Sequence, residues 1–344
     1  MDLSEFDYDL PASAIAQVPA AARDAARLLL IDRGRRRLDD HVIADLPRLL
    51  RSGDCLVVNN SRVIPARVLA RTSAGAPVEL LFVEPQTPTR WRALVRPGRR
   101  CGPGVELLAG GDPGPRLRVA AIAPDGIRLI DRLDGSVADL IEAHGQPPLP
   151  PYIARHTKPE PADWERYQTV YAQEPGSVAA PTAGLHFTPE LLARIRAAGV
   201  EVHELTLHVG PATFRPIRAR RIEDHRLDAE HVSLPGAVAE AVNAAKAERR
   251  RVIAVGTTTT RALEGACADD GRLRARDGTV DLYITPGHRF RVVDALLTNF
   301  HLPRSSLLVL VAAFADRELI ARAYRHALAS GYRFYSFGDA TLIV

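Results

Sequence analysis

Residues 177–188 read Ser-Val-Ala-Ala-Pro-Thr-Ala-Gly-Leu-His-Phe-Thr, which places a hydroxyl, a glycine and an imidazole (Thr182, Gly184, His186) just before a helix start. An imidazole titrates near neutral pH and can move protons, and a glycine lets the backbone approach a ligand closely. Thr188-Pro189-Glu190 is the helix start: an N-cap, a proline at the first helical position, an acid in the first turn. These residues therefore belong to a strand-to-helix loop, where open α/β sheets hold ligands. Thr257, Thr258, the next two threonines and Arg261 also leave an apolar strand and open a helix. Backbone N–H groups, hydroxyls and a guanidinium there could cradle an anion or a carboxylate; capping by one threonine with the others solvated is the plainer reading. No P-loop lysine follows, which argues against a Walker-type nucleotide site.

Asp224-His225-Arg226-Leu227-Asp228-Ala229-Glu230-His231 packs acids and imidazoles together. That composition suits a metal, general acid–base work beside a sugar, or a solvated loop following the basic run 218–221. His203 and His208 fall at odd separation on an expected strand and face opposite sides, so at least one is structural. Asn299 and His301, in Thr-Asn-Phe-His-Leu-Pro, could contact a base or ribose or merely satisfy a turn. The aromatics of 334–340 suggest a half-buried strand first and a base-stacking platform second.

The elements that must position these groups follow from pattern. With 344 residues, two domains are expected. Residues 1–64 mix a short helical signal with the strand 55–58. From 65 to about 130, short β-prone runs (67–70, 78–83, 91–95, 105–108, 117–122, 127–130) alternate with Gly/Pro turns, the pattern of a small barrel or sandwich. A helix near 137–143 and a stiff proline linker at 147–151 close that block. Strands and helices then alternate: helix 189–198, strand 200–209, helix 235–250, strand 251–255, helix 260–268, a buried strand 307–313 and helix 316–329. The expected fold class is α/β: a layered α/β domain with a largely parallel sheet (1–64 and 150–344) carrying an inserted small all-β barrel domain (65–149).

Cys55, Cys101 and Cys267 are too few and too far apart for a disulfide framework or a CxxC metal motif. The start lacks a signal-peptide pattern, and the apolar run 307–315 is too short to span a bilayer. A cytoplasmic home with no membrane partner is expected. Lys158 and Lys246 are the only lysines, so the net charge of +4 is carried by arginine. A GC-rich genome explains that, as does a phosphate-bearing partner.

Taken together, several segments resemble the S-adenosylmethionine:tRNA ribosyltransferase-isomerase family of queuosine biosynthesis. The carriers are Ile15-Ala16-Gln17-Val18-Pro19, Asn60-Ser61-Arg62-Val63-Ile64-Pro65-Ala66-Arg67, Glu165-Arg166-Tyr167-Gln168-Thr169-Val170-Tyr171, and the stretches 177–188, 255–261, 298–303 and 334–340. The resemblance implies transfer of the ribosyl part of S-adenosylmethionine, with isomerisation, onto the aminomethyl group of a 7-deazaguanine at the tRNA wobble position. Adenine and methionine leave and epoxyqueuosine-tRNA forms, with no metal required and a monomer expected. On that reading His186 and His225 are acid or base, with Asp228 and Glu230 orienting an imidazole or contacting ribose. Thr182, Gly184, Thr257, Thr258, Arg261, Asn299 and His301 bind substrate. Arg96, Arg99, Arg100, Arg218, Arg220 and Arg221 hold the tRNA.

Two loops depart from the family pattern. Asp228 stands where the family has a second histidine, and Pro211-Ala212 stand in a segment usually reading His-Val-Gly-x-Gly-Thr-Phe. Two further readings keep other classes open: an RNA-binding paralogue without transfer activity, and a metal-dependent hydrolase built on His225, Asp228, Glu230 and His231.

Overall fold

The computed structural model describes residues 1–111, 113–211 and 217–344, with the backbone alone at 156 and 157. Among the described residues, nine strands form one sheet. Their order is Arg276–Val280, Glu230–Leu234, Glu201–Leu207, Cys55–Asn59, Val252–Val255, Ala295–Asn299, Ala340–Ile343, Arg27–Asp32, Arg37–Val42. The central strands Glu201–Leu207, Cys55–Asn59, Val252–Val255 and Ala295–Asn299 run parallel. Arg27–Asp32 is also parallel to Ala340–Ile343, while the outer pairings and the Ala295–Asn299/Ala340–Ile343 pair are antiparallel.

Alternation along the strands divides the core in two. Leu29, Ile31, Cys55 and Val57 face a layer built on helices Gly236–Ala247, Thr257–Ala266, Ser306–Ala315 and Arg317–Ala329. Leu28, Leu56, Val58, Ile253 and Val255 face helix Pro189–Ala197 and the turn Leu46–Leu49. Covered on both faces, Cys55–Asn59 and Val252–Val255 read as nearly continuous apolar runs, as a buried parallel sheet requires. Their carboxyl ends all open at one edge, which delivers the segments after Asn59, Leu207, Val255 and Asn299 to a common place.

The inserted unit is a closed barrel. Arg67–Thr72, Pro77–Thr87, Arg90–Arg96, Arg128–Arg132, Arg116–Ile122 and Glu106–Ala109 pair antiparallel in that order. Pairing of Glu106–Ala109 with Arg67–Thr72 closes the ring, and Gly145–Gln146 adds a short piece to the latter strand. The core is filled by inward residues such as Val68, Leu80, Phe82, Leu117 and Val119. Leu140 and Ile141 of helix Val137–His144 join it.

Several expectations change. The apolar run at 307–313 is not a strand but part of helix Ser306–Ala315, capped by Ser305, whose Oγ accepts from the Leu308 N–H. Buried nearly all round, it has lost the 3.6 period, so pattern alone could not separate helix from strand. The helix expected from 260 begins at Thr257, which puts Thr257 and Thr258 in its first turn. Residues 334–339 form a tight buried turn with Tyr335 at φ 76, and the strand starts only at Ala340. The proline run is no free linker: Leu149 packs with Ala16, Val63, Ile153, Tyr167 and Phe337 in a seam beside the barrel. The hairpin Arg27–Asp32/Arg37–Val42 went unforeseen.

Gly256 joins strand to helix with φ 91 and ψ 154, a region essentially reserved for glycine. A Cβ there would find room, its nearest neighbours being Ala183 Cβ and Thr258 Oγ1 at 3.6 Å, so the penalty of a side chain is conformational. Gly256→Ala is therefore expected to lower stability by about 1–3 kcal/mol, read from urea midpoints, and to depress activity by turning the first helical residues away from the edge. An unchanged midpoint would show that the junction relaxes.

Candidate functional site

The polar groups at the carboxyl edge meet around one side chain. Asn299, the last residue of its strand and only 2% exposed, accepts from Thr182 Oγ1 at 3.2 Å. Its amide nitrogen donates to the Tyr335 carbonyl at 3.2 Å and contacts His186 Nε2 at 3.2 Å. A carbonyl can only accept, so the amide NH2 must face it; His186 Nε2 is then the acceptor, and the imidazole proton sits on Nδ1. Burial holds His186 at about 4, far below the ordinary imidazole value, although a hydrogen bond with the Arg23 backbone works in the opposite direction. The ring is neutral at pH 7, the state a general base needs.

Thr182 and His186 come from a buried turn of 3-10 helix, Thr182–His186, rather than an open loop. Gly184 within it is required by its neighbours: a Cβ would lie 2.1 Å from Tyr171 Oη and 2.8 Å from Thr169 Cγ2. Tyr335, in left-handed backbone that a bulky residue rarely adopts, aims its carbonyl at Asn299. His301 lies in the segment following the strand, its Nε2 3.0 Å from Thr298 Oγ1. Burial drives it down to about 3. Its backbone is held on both sides, with the N–H donating to Tyr324 Oη and Tyr8 Oη donating to its carbonyl.

Thr182, Thr257, Thr258, Asn299 and His301 line one small cleft, with Pro181 and Leu307 completing the wall. Thr259 and Thr260 turn their hydroxyls back to the Val255 and Gly256 carbonyls, but Thr258 Oγ1 is buried with no hydrogen-bond partner among the described residues. An unsatisfied hydroxyl beside the free N–H groups of a helix start is a place for an acceptor oxygen. His186 lies behind this cleft, on a hollow it shares with Arg23, Arg166 and Phe337. A larger, mostly apolar hollow of about 390 Å3 is lined by Phe6, Tyr8, Leu308 and Tyr324. Size favours it, yet the convergent polar groups that define a site are in the small cleft.

Across Leu307 a second hollow holds Leu227, Arg261 and Tyr283. Arg261 forms a buried ion pair with Glu230, and its Nε donates to the Leu282 carbonyl at 3.0 Å. Glu230 also accepts the Gly210 N–H at 2.8 Å, so this carboxylate braces the 208–211 segment. His225 is half-buried, edge-on to the Tyr283 ring at 5.3 Å. Burial lowers its affinity for a proton while the charge of exposed Asp228 raises it. His208 and His231 stack at 5.7 Å, and His231 pairs with Asp277 at 2.8 Å. With Glu230 and His231 so engaged, the residues 225–231 form no metal-binding group among the described residues. Of the departing loop, Ala212, Thr213 and Phe214 lie outside the described residues.

Arg96, Arg99, Arg100 and Arg218 are exposed and carry no ion pair among the described residues, whereas exposed Arg220 and Arg221 pair with Asp2 and Glu223. Nothing in the sequence pointed to Tyr8 or Tyr324; Tyr335 lay in the aromatic segment 334–340 and Leu307 in the expected strand 307–313, but neither was assigned to the cleft.

A family model described as "Queuosine biosynthesis protein" matches residues 3–343. An S-adenosylmethionine:tRNA ribosyltransferase-isomerase of Thermus thermophilus is 52% identical over 99% of both chains. One of Moorella thermoacetica is 50% identical over the full length of both. The crystal structure of S-adenosylmethionine tRNA ribosyltransferase from Thermotoga maritima covers 99% of this chain and 100% of its own, at 36% identity and a TM-score of 0.57.

The buried neutral imidazoles make stability pH-dependent. An unfolded histidine takes up a proton below about 6.5, while the folded chain holds His186 at about 4 and His301 at about 3. In that window the unfolded state binds more protons, so stability falls as pH drops below about 6.5 and is flat above it. His186 alone should contribute a loss of about 3 kcal/mol by pH 4. Urea midpoints at pH 7 and 4.5 should show a smaller drop for His186→Gln than for wild type; equal drops would place the proton elsewhere.

Proposed function

The chain belongs to the queuosine biosynthesis protein family, and from that premise we propose how its cleft works. It is an S-adenosylmethionine:tRNA ribosyltransferase-isomerase. It moves the ribosyl moiety of S-adenosylmethionine, with isomerisation, onto 7-aminomethyl-7-deazaguanine at the tRNA wobble position, and epoxyqueuosine-tRNA forms as adenine and methionine leave. The observation that carries the residue assignments is the convergence of Thr182, Thr257, Thr258, Asn299 and His301 on one cleft at the sheet's carboxyl edge.

The chemistry sets the demands. A sulfonium acidifies the neighbouring C5′ hydrogens, so a base must take one; adenine leaves more readily when protonated; the attacking amine must be neutral. His186 is the base in our reading: neutral, buried and one hydrogen bond behind the cleft, it gains a free lone pair once the Asn299 amide shifts to substrate. His225, at the rim beyond Leu307, is the candidate proton donor to adenine; burial lowers its proton affinity, and the Asp228 charge offsets part of that. The helix start at Thr257, with the Thr258 hydroxyl, receives the methionine carboxylate or a ribose hydroxyl. Glu230 and Arg261 act as positioning residues, holding the loop after Val209. Gly184 keeps the 3-10 turn close to Tyr171.

We read residues 1–64 and 150–344 as the catalytic α/β domain and 65–149 as an inserted barrel that helps grip tRNA. Every proposed step is a proton transfer or a displacement that side chains can serve, so no metal is assigned to the reaction. A monomer is proposed as the working state. Among the described residues no helix is long and apolar enough to cross a membrane. With tRNA as substrate, this favours a cytoplasmic home.

Incubation with S-adenosylmethionine and tRNA bearing the aminomethyl-deazaguanine should release adenine and add the epoxycyclopentanediol mass to the nucleoside. Folded protein that binds tRNA yet gives neither signal would instead indicate a non-catalytic paralogue. His186→Ala should lower kcat by about 100-fold or more with tRNA affinity unchanged; retained turnover would remove it from the mechanism. For the tRNA grip, alanine at Arg96, Arg99 and Arg100 together should weaken binding and reduce the slope of log affinity against log salt by about 1 for each phosphate no longer neutralised. An unaltered slope would move the footprint off the barrel.

A further inference from the structure

We propose that Cys55, Glu201 and His203 form a binding site for a thiophilic divalent cation of the zinc class, at the amino-terminal edge of the large sheet. Strands Cys55–Asn59 and Glu201–Leu207 are parallel neighbours in a register that sets Glu201 beside Cys55. Residues two apart share a strand face, so His203 projects from the same side. The Cys55 sulfur, a Glu201 oxygen and a His203 ring nitrogen all lie within 4.8 Å of one another, and His203 Nε2 is 3.3 Å from Glu201 Oε2.

Both backbones are locked in the sheet, so the donor set is largely pre-formed. Zinc takes sulfur, nitrogen and oxygen donors together, at about 2.0–2.3 Å in tetrahedral sites, and small rotations of Glu201 and His203 bring these donors that close. The thiol forms a buried floor, while the carboxylate side chain is 46% exposed and the imidazole 25%, leaving an entry route and a fourth position for water. Arg250 binds the other carboxylate oxygen, Oε1, at 3.1 Å, which helps to fix Glu201.

A surface His–Glu pair needs no cysteine, and a buried cysteine is ordinarily inert core. What sets Cys55 apart is its pairing with a carboxylate. The Glu201 carboxylate and the His203 ring, with donor atoms within 4.8 Å of the sulfur, complete a mixed donor set around it. On binding, the S–H proton passes to solvent as the sulfur–metal bond forms, and affinity falls as pH is lowered. The site lies at the opposite end of the sheet from the carboxyl edge that bears the cleft, about 15 Å away along a strand of five residues. The cation thus clips two strands together and takes no part in ribosyl transfer.

The test uses full-length, chelator-treated protein titrated with Co2+ and then with Zn2+. The expected result is a saturable, one-per-chain thiolate-to-cobalt charge-transfer absorption that zinc displaces. Cys55→Ser should abolish it. His203→Ala, at a partly exposed side chain outside the buried core, should weaken affinity roughly tenfold or more while adenine release stays at the wild-type rate. No thiolate band in the wild-type protein overturns the proposal. So does a band undiminished in Cys55→Ser, which would assign it to Cys101 or Cys267, or one undiminished in His203→Ala, which would leave Cys55 a lone thiol.

Discussion

The Asn299 amide is the knot on which the edge of the sheet depends. It ties the 182–186 turn, through Thr182 and His186, to the Tyr335 turn at the carboxyl terminus, while its own backbone is fixed between neighbouring strands. The Tyr335 carbonyl can only accept, so it fixes the amide's orientation, and the Thr182 hydroxyl and the His186 ring take the complementary roles. The tautomer of His186 follows from it, and the left-handed conformation of Tyr335 is the local strain that places the carbonyl. Removing water from such a network strengthens each bond and makes every unsatisfied group expensive. The lone hydroxyl of Thr258, next to this network, is therefore informative in a way that an exposed threonine is not.

Besides the arginines that pair with carboxylates, such as Arg90 with Asp131 and Arg155 with Asp163, two further groups can be told apart. Many act as rivets, donating to backbone carbonyls: Arg27 to Ser330, Arg33 to Phe314 and Asp294, Arg128 to Gly98, Arg166 to Ala20. A planar fork can bridge two carbonyls where an ammonium would act as a point charge, which is a structural use for arginine in a chain with two lysines. The set that is exposed and without an ion pair among the described residues, on the barrel and at Arg218, is much smaller. The net positive charge thus says little about phosphate binding until each guanidinium has been followed to its partner.

The helix start at Thr188-Pro189-Glu190 was legible because capping is local chemistry, and it appears as read, with Thr188 accepting the Leu191 N–H. The barrel was legible because short alternating strands between Gly/Pro turns admit few other solutions. Helix Ser306–Ala315 was not, because burial on nearly every side removes the periodicity that separates helix from strand. Within the site, Thr182, Asn299 and His301 were found by residue type in suggestive turns. Their mutual contacts, and those to Tyr335, Tyr8 and Tyr324, were not, since the partners lie between 23 and 293 positions away in the chain.

Glu230 marks the boundary most clearly. Its sequence neighbourhood offered an acid–base or metal-ligating carboxylate, but folding places it against Arg261, 31 residues on, and the Gly210 N–H. By itself the sequence determined the elements, the α/β class with its β insertion and the family, because caps, turn residues and apolar patterns act over a few residues and several ordered motifs are rarely matched by chance. Only the tertiary structure decided which polar groups are already satisfied and which remain open to substrate. That depends on burial and on partners far along the chain, and spacing carries neither.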